Sequence, residues 1–161
     1  MNYRKIKLTQ GKYALVDNTD FAKLSPYKWN CLKRGKIFYA GNNKISYMHR
    51  FILELYSKDG LMVDHINGNG LDNRRKNLRI ATKAENMRNR GVQSNNTSGY
   101  KGVHWMKSYK KWEAYIWLDK RKIELGYYTT REEAAAVYNI AAKRLHKNFA
   151  FLNNLQCPSK R

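Results

Sequence analysis

The apolar positions of the first 47 residues come in short runs cut by turn formers. YALV precedes Asp17-Asn18, KWNCL precedes Arg34-Gly35, and IFYA precedes Gly41-Asn42-Asn43. Runs of this length and flanking predict short antiparallel strands. The period then changes. In MHRFILELY, residues 48–56, Met48, Phe51, Ile52 and Leu55 recur every three or four positions, the stripe of a short core-facing helix that ends by Gly60. Residues 63–66 and 78–81 alternate apolar and polar around the loop NGNGLDNRRKN, where Gly68 and Gly70 are expected to supply the positive φ of tight turns. Thr82-Lys83-Ala84-Glu85 follows as a capping box, in which a Thr hydroxyl and a Glu carboxylate satisfy the first amides of a helix. Residues 62–90 therefore predict strand, loop, strand, helix.

GVQSNNTSG, residues 91–99, is polar, small and without periodicity, as a linker is. Beyond it, strand-like runs at 100–105, 112–118 and 122–127 are separated by turns near 108–110 and at Asp119-Lys120. A second capping box, Thr130-Arg131-Glu132-Glu133, opens a helix with Ala134, Val137, Tyr138, Ala141 and Leu145 on one face. The expected class is α+β. A strand-rich segment leads into the strand-loop-strand-helix core, and a separate three-stranded antiparallel sheet packs on one helix. The expected organisation is a first domain over 1–90 with its core at 62–90, a linker at 91–96, a second domain over 97–155 and a tail at 156–161.

Composition adds a partner to this outline. Among 161 residues, 32 Lys and Arg face 12 Asp and Glu, a formal charge of +20 that disfavours a compact state by self-repulsion until a polyanion screens it. The surplus is shared: 19 basic against 7 acidic residues up to residue 90, then 13 against 5. Two basic halves favour nucleic acid over an anionic membrane, which would call for a basic amphipathic helix or a Lys/Arg cluster beside an apolar anchor. Cys31 and Cys157 stand too far apart for a Cys-x-x-Cys zinc site, and a disulfide between them is only one option, so a reduced compartment fits best. No run reaches the ~20 apolar residues that span a bilayer, and MNYRKIKLTQ is not followed by an apolar stretch of signal-peptide length. The expectation is a cytoplasmic protein that is not secreted and has no membrane partner.

Candidate chemistry gathers in VDHINGNGLDNRRKNLR, residues 63–79. A phosphodiester-cleaving site needs oxygen ligands for a hard cation and a base that activates water. Asp64 offers the oxygen and His65 the base, although strict strand alternation points adjacent side chains apart unless the pair sits at a strand end. Asn86, in the second turn of the following helix, could reach the same cation, and Asn77 stands where it could orient an imidazole. The bland alternative stays open on spacing alone: Asp64, Asn67, Asn69, Asp72 and Asn73 as turn residues, His65 as a half-buried strand residue.

Residues 48–90, with MHR, VDHINGNGLDNRRKNLRIAT and AENMRNR, resemble the HNH homing endonucleases of bacteriophage genomes, whose nuclease core is a ββα-metal fold. The resemblance implies that Asp64 and Asn86 bind one divalent metal, that His65 is the general base, and that Asn77 orients His65. Asn86 stands where many relatives carry His, which favours magnesium or manganese over a softer ion. His49 also matches, but its place on an apolar-striped helix suits packing or a phosphate contact.

Residues 97–154 resemble the plant ethylene-response-factor (APETALA-type) DNA-binding domain through SGYKGVHW, KWEAYIWL, ELGYY and TREEAAAVYNIAAKRLHKNFAFLN. That family lays a sheet in the major groove. Its contact positions correspond to Lys101, His104, Met106, Trp117, Lys122 and Glu124. His104, Met106 and Glu124 depart from the plant residues, so the plant target does not carry over. Lys107, Lys110, Lys111 and Arg121 are turn residues able to reach phosphates.

Together these features describe a site-specific, homing-type endonuclease for double-stranded DNA, a monomer on its substrate with one magnesium or manganese per active site. A transcriptional regulator with a catalytically silent HNH fold is the alternative. RNA binding, supported only by charge and aromatics, is a third.

Overall fold

The computed structural model describes residues 2–55 and 60–156. It is a mixed, strand-rich α+β structure with several small antiparallel sheets, and it divides into two compact units, Met1–Asn86 and Met87–Arg161. The division falls a few residues ahead of the linker expected at 91–96. Residues 87–96 belong to the second unit because their groups are already engaged there: the Asn96 side chain donates to Tyr100 O and accepts from Gly99 N and Ser98 Oγ.

In the first unit, β1 (Tyr3–Lys7) pairs with β2 (Tyr13–Asp17), and β3 (Asn30–Arg34), β4 (Ile37–Asn42) and β5 (Ser46–Tyr47) form a second sheet in that order. Two helices depart from the sequence pattern. α1 (Asn18–Leu24) forms where Asp17-Asn18 predicts a turn, and α2 is confined to Met48–Ile52. α1 is seven residues long with only Phe21 and Leu24 as apolar side chains turned inward, too little for a period to show. α2 ends because Glu54 takes a positive φ of 55°; the last residue of the expected helix, residue 56, lies outside the described residues. Trp29, Val16, Leu24, Met48 and Ile52 are at the centre of the core, with the Trp29 indole N–H donating to Leu24 O at 2.9 Å. Cys31 is buried beside them, whereas Cys157 lies outside the described residues.

β6 (Met62–His65) and β7 (Leu78–Ala81) form an antiparallel hairpin, followed by α3 (Lys83–Asn89). The predicted capping box is made: Glu85 N donates to Thr82 Oγ1 at 3.2 Å, and Thr82 N to the Glu85 carboxylate at 2.8 Å. The loop between β6 and β7 is pinned onto the N-terminal elements. Leu15 N donates to Leu71 O, and Asn73 N donates back to Leu15 O, both at 2.8 Å. The Arg75 guanidinium grips both oxygens of buried Asp20 (2.8 and 2.7 Å), and Arg75 N donates to Asp17 Oδ2 at 2.7 Å. Gly68 has the expected positive φ of 72°; Gly70 does not. Gly70 is required by close approach instead, since a Cβ there would stand 2.5 Å from Phe38 O and 2.6 Å from the Tyr39 ring.

In the second unit, β8 (Val103–Met106), β9 (Lys111–Leu118) and β10 (Arg121–Tyr128) form a sheet in the order β10-β9-β8, and α4 (Arg131–His146) packs on one face. The first strand starts at Val103 rather than at residue 100. Ser98 Oγ bonds the carbonyls of Tyr100 (3.0 Å) and Val103 (2.8 Å), which curls the chain ahead of it. Trp112, Ala114 and Ile116 face the helix, where Ala134, Ala135, Tyr138 and Ala142 leave room for the close approach. Asn153 clasps the unit, bonding Lys101 N, Lys101 O and the Asn139 amide. No helix among the described residues is long and apolar enough to cross a membrane.

The loop anchor gives a direct stability prediction. Asp20→Ala strands the Arg75 guanidinium and should cost about 1–3 kcal/mol, the range for charge-assisted hydrogen bonds. The shift is read as a lower urea midpoint at unchanged m-value.

Candidate active site and nucleic-acid interface

His65 is the last residue of β6, where the chain turns away with Gly68 N donating to His65 O at 2.8 Å. Asp64 and His65 alternate to opposite faces of the hairpin. Asp64 lies on the face of its cross-strand partner Arg79 and of Met62, whose sulfur is 3.8 Å from Asn86 Nδ2. His65 lies on the other face, paired with core residue Leu78. The structure thus sets Asp64 against Arg79, with Met62 linking to Asn86, and sets His65 at the strand end against Asn73, close enough for the Asp64 carboxylate to act on its imidazole.

The His65 imidazole is 6% exposed. Its Nε2 stands 3.3 Å from Asn73 Oδ1. An amide oxygen only accepts, so this contact puts the proton on Nε2 and the lone pair on Nδ1. Burial lowers the His65 pKa, partly offset by the Asn73 bond and by the carboxylates of Asp64 and Asp72. The ring is therefore neutral, the protonation state a general base needs, at neutral pH. Around it stand Tyr39 (5.9 Å between ring centroids) and His49, edge-on at 5.0 Å and stacked on Tyr47 at 5.4 Å. These ring contacts give His49 a packing place against the candidate base. Burial, with His65 and Arg50 nearby, lowers its pKa to about 3.

Asn77 bonds the loop rather than the imidazole. Its amide accepts from Asn67 N (3.0 Å) and donates to Asn67 Oδ1 (3.0 Å) and Asp72 O (2.7 Å). It ties the loop across its base, and the loop in turn presents Asn73, fully buried, to His65. Spacing alone could not separate Asn73 from its neighbours as the residue touching the imidazole, because all of them have the composition of a turn. Asp17, Asp20 and Arg75, which hold the loop, are also invisible to local pattern because their contacts are long-range.

Among the described residues no three His, Cys, Asp or Glu side chains gather as a metal cluster. The oxygen donors expected for a cation are the Asp64 carboxylate, which accepts from Arg79, and the Asn86 side-chain amide. One carboxylate and one neutral oxygen, completed by water and phosphate, suit a hard cation that keeps much of its hydration.

On the second sheet, alternation turns Glu113, Tyr115 and Trp117 away from α4. Their cross-strand partners His104, Glu124 and Lys122 share that open face. Trp117 is 55% exposed. Glu113, which the motif of the strand does not single out, is 1% exposed between Lys122 Nζ at 2.6 Å and His104 Nε2 at 3.0 Å. A signal for it exists in the sequence: a carboxylate among the outward positions of KWEAYIWL. Met106 abuts the same histidine, Sδ to Nε2 at 3.1 Å. Lys107, Lys110 and Lys111 stand exposed around one hairpin turn, and Arg121 beside the other, at the opposite end of β9.

Lys101 is placed elsewhere. Its ammonium donates to the carbonyls of Arg88 and Arg90, each at 2.6 Å, and burial together with nearby Arg90 lowers its pKa to about 8. It satisfies carbonyls at the C-terminal end of α3, as cations do at helix ends, and is not available as the DNA contact expected from the resemblance.

A hairpin bearing Asp-His, an asparagine-framed loop and a capped helix bearing Asn86 define a phosphodiester-cleaving nuclease of the HNH type. The chain belongs to the HNH endonuclease family and is a DNA nuclease. The family's model matches residues 46–88. An uncharacterized HNH endonuclease of Acanthamoeba polyphaga mimivirus is 32% identical over 150 residues, 91% of this chain and 77% of the relative. Protein 3.8 of Escherichia phage T7 is 33% identical over 91 residues, 56% of this chain and 74% of that protein. No solved structure matches the chain. HNH nucleases generally use a divalent metal.

The depressed pKa of His49 fixes the sign of a pH effect. Between its usual value of 6.5 and about 3, the unfolded chain takes up a proton that the native imidazole refuses. Stability should therefore fall as pH drops below ~6.5, by up to about 1.4 kcal/mol per pH unit from this residue. His49→Phe should flatten that slope in urea melts run with chelator at pH 7, 6 and 5.

Proposed function

We propose that the chain is a site-specific, homing-type endonuclease that cuts double-stranded DNA as a monomer. The observation that carries this reading is the buried His65, its Nε2 3.3 Å from Asn73 Oδ1, at the end of the strand that also bears Asp64. His65 takes the proton from the attacking water through Nδ1. Asn73 holds the ring and its tautomer by contact, and Asn77 acts one step behind by closing the loop. Asp64 and Asn86 hold one divalent cation, magnesium or manganese, which supplies charge stabilisation at the phosphate and the leaving 3′ oxygen.

The second unit holds the target, in keeping with the resemblance of residues 97–154 to ethylene-response-factor domains. Its open face offers Trp117, His104 and Lys122 to the duplex, while Lys107, Lys110, Lys111 and Arg121 reach phosphates at both ends of the sheet. Glu113 fixes where His104 and Lys122 stand, which suits base-edge recognition better than a loose basic patch. Two modules on one chain raise the effective concentration of each at a long site.

The decisive experiment compares wild type with His65→Ala on supercoiled plasmid and viral or host genomic DNA, in magnesium, manganese or chelator, with products resolved on denaturing gels. Wild type should give discrete metal-dependent products that the variant loses while still binding duplex DNA. Retained cleavage in the variant would remove His65 from the role of base. Asn73→Ala should lower kcat about 10²-fold or more with little change in KM, as loss of base positioning does. For the second unit, Arg121→Ala should weaken duplex binding at every sequence and reduce the slope of log K against log salt by about one.

A further inference from the structure

Asp64 and Arg79 are directly opposed across β6 and β7, with side chains on one face of the hairpin. Both are largely shielded, at 6% and 16% side-chain exposure. Arg79 Nε donates to Asp64 Oδ2 at 2.7 Å, and Arg79 Nη2 donates to the same oxygen. Asp64 is also the carboxylate to which the proposed function gives the metal, and any part for Arg79 in metal binding rests on that reading. An oxygen that accepts two guanidinium N–H groups has its negative charge already answered. A divalent cation brought to it meets a positive group at close range in a poorly solvated setting, where like charges repel strongly. Guanidinium and metal therefore compete for one carboxylate.

We propose that Arg79 is a built-in counter-ion: it occupies the cation's place on Asp64 and is exchanged onto a DNA phosphate when metal and substrate arrive together. The arrangement avoids leaving a buried carboxylate unpaired in the resting protein, a state that would be strongly destabilising. It also makes metal and DNA help one another. A phosphate offers Arg79 a second anionic partner of matching fork geometry and offers the cation a further oxygen. Each ligand thus lowers the cost of the other, and the coupling is reciprocal. Metal binds weakly to the free protein and firmly on DNA, which restricts the cleaving state to the substrate complex.

The test measures binding rather than cleavage. Free manganese is followed by electron paramagnetic resonance in the full-length protein, with and without a short duplex, for wild type, Arg79→Gln, Arg79→Lys and Asp64→Asn. Without DNA, Arg79→Gln should bind manganese about tenfold tighter than wild type, the effect of removing one charge-assisted contact from the competition. Arg79→Lys, which keeps the charge, should stay close to wild type. Adding duplex should tighten manganese binding strongly in wild type and little in Arg79→Gln. If Arg79→Gln binds no tighter than wild type while Asp64→Asn loses the metal, the counter-ion role is overturned and Asp64 remains the ligand. If Asp64→Asn binds manganese like wild type, the metal assignment itself fails. A measurement on the unaltered chain guards against a misfolded variant: with ¹⁵N-labelled arginine, the Arg79 Nε–H should exchange slowly in chelator and lose that protection with magnesium and duplex together. Protection that persists unchanged would also overturn the exchange.

Discussion

The site depends on one clamp, the Arg75 guanidinium held by Asp20 and its backbone N–H held by Asp17. The loop from residue 66 to 77 has few apolar side chains with which to fold itself, so its shape has to come from partners outside it. Arg75 supplies the electrostatic part. Leu15 supplies the backbone part, exchanging hydrogen bonds with Leu71 and Asn73. Together they explain what the first 47 residues do for the nuclease: β1, β2 and α1 form the bed on which the loop is laid. With the loop fixed at both ends, Asn77 closes its base and Asn73 comes to rest against His65. A neighbour that fixes the orientation of the His65 imidazole has to be rigid, and the rigidity here originates some fifty residues upstream in the chain.

Burial works in the same direction. His65 and His49 stand in a small aromatic enclosure with Tyr39 and Tyr47, where a positive imidazolium would be poorly solvated. The enclosure thereby favours the neutral, base form of His65. It also leaves His49 Nδ1 without a hydrogen-bond partner, a cost the fold accepts close to the site where protonation state matters.

What could be read from the sequence was what local chemistry decides. The β6–β7 alternation and the two capping boxes are each specified within a few residues, and the structure has those elements. α1 escaped because seven residues with two inward apolar side chains carry no detectable period. Gly70 was legible as a needed glycine but not for its reason, since Phe38 and Tyr39, which crowd it, are some thirty residues away. The partition of asparagine roles in the loop was likewise hidden: Asn73 and Asn77 are the same residue type four positions apart, and only tertiary contacts decide which meets His65. Lys101 shows the limit of transfer by resemblance. A position that could face DNA in a related sheet here caps the end of α3 through a segment the resemblance does not cover.

Charge placement follows one rule in both units. Every acidic side chain among the described residues has a structural task. Asp20, Glu54, Asp64, Asp72, Glu113, Asp119 and Glu132 pair with cations, Glu85 and Glu133 cap helices, Asp17 holds the Arg75 backbone, and Glu124 accepts from Tyr127. The carboxylates are thus consumed internally. With 32 basic residues against 12 acidic ones, the cations outnumber any carboxylates that could pair with them, so the formal +20 is a field presented outward rather than an imbalance within the fold. Such a surface attracts polyanions in general, and some of its cations are held in place by a carboxylate. Lys122, pinned by Glu113 on the second sheet, and Arg79, pinned by Asp64 in the nuclease hairpin, are two of these. In each case a buried carboxylate fixes where a positive group stands.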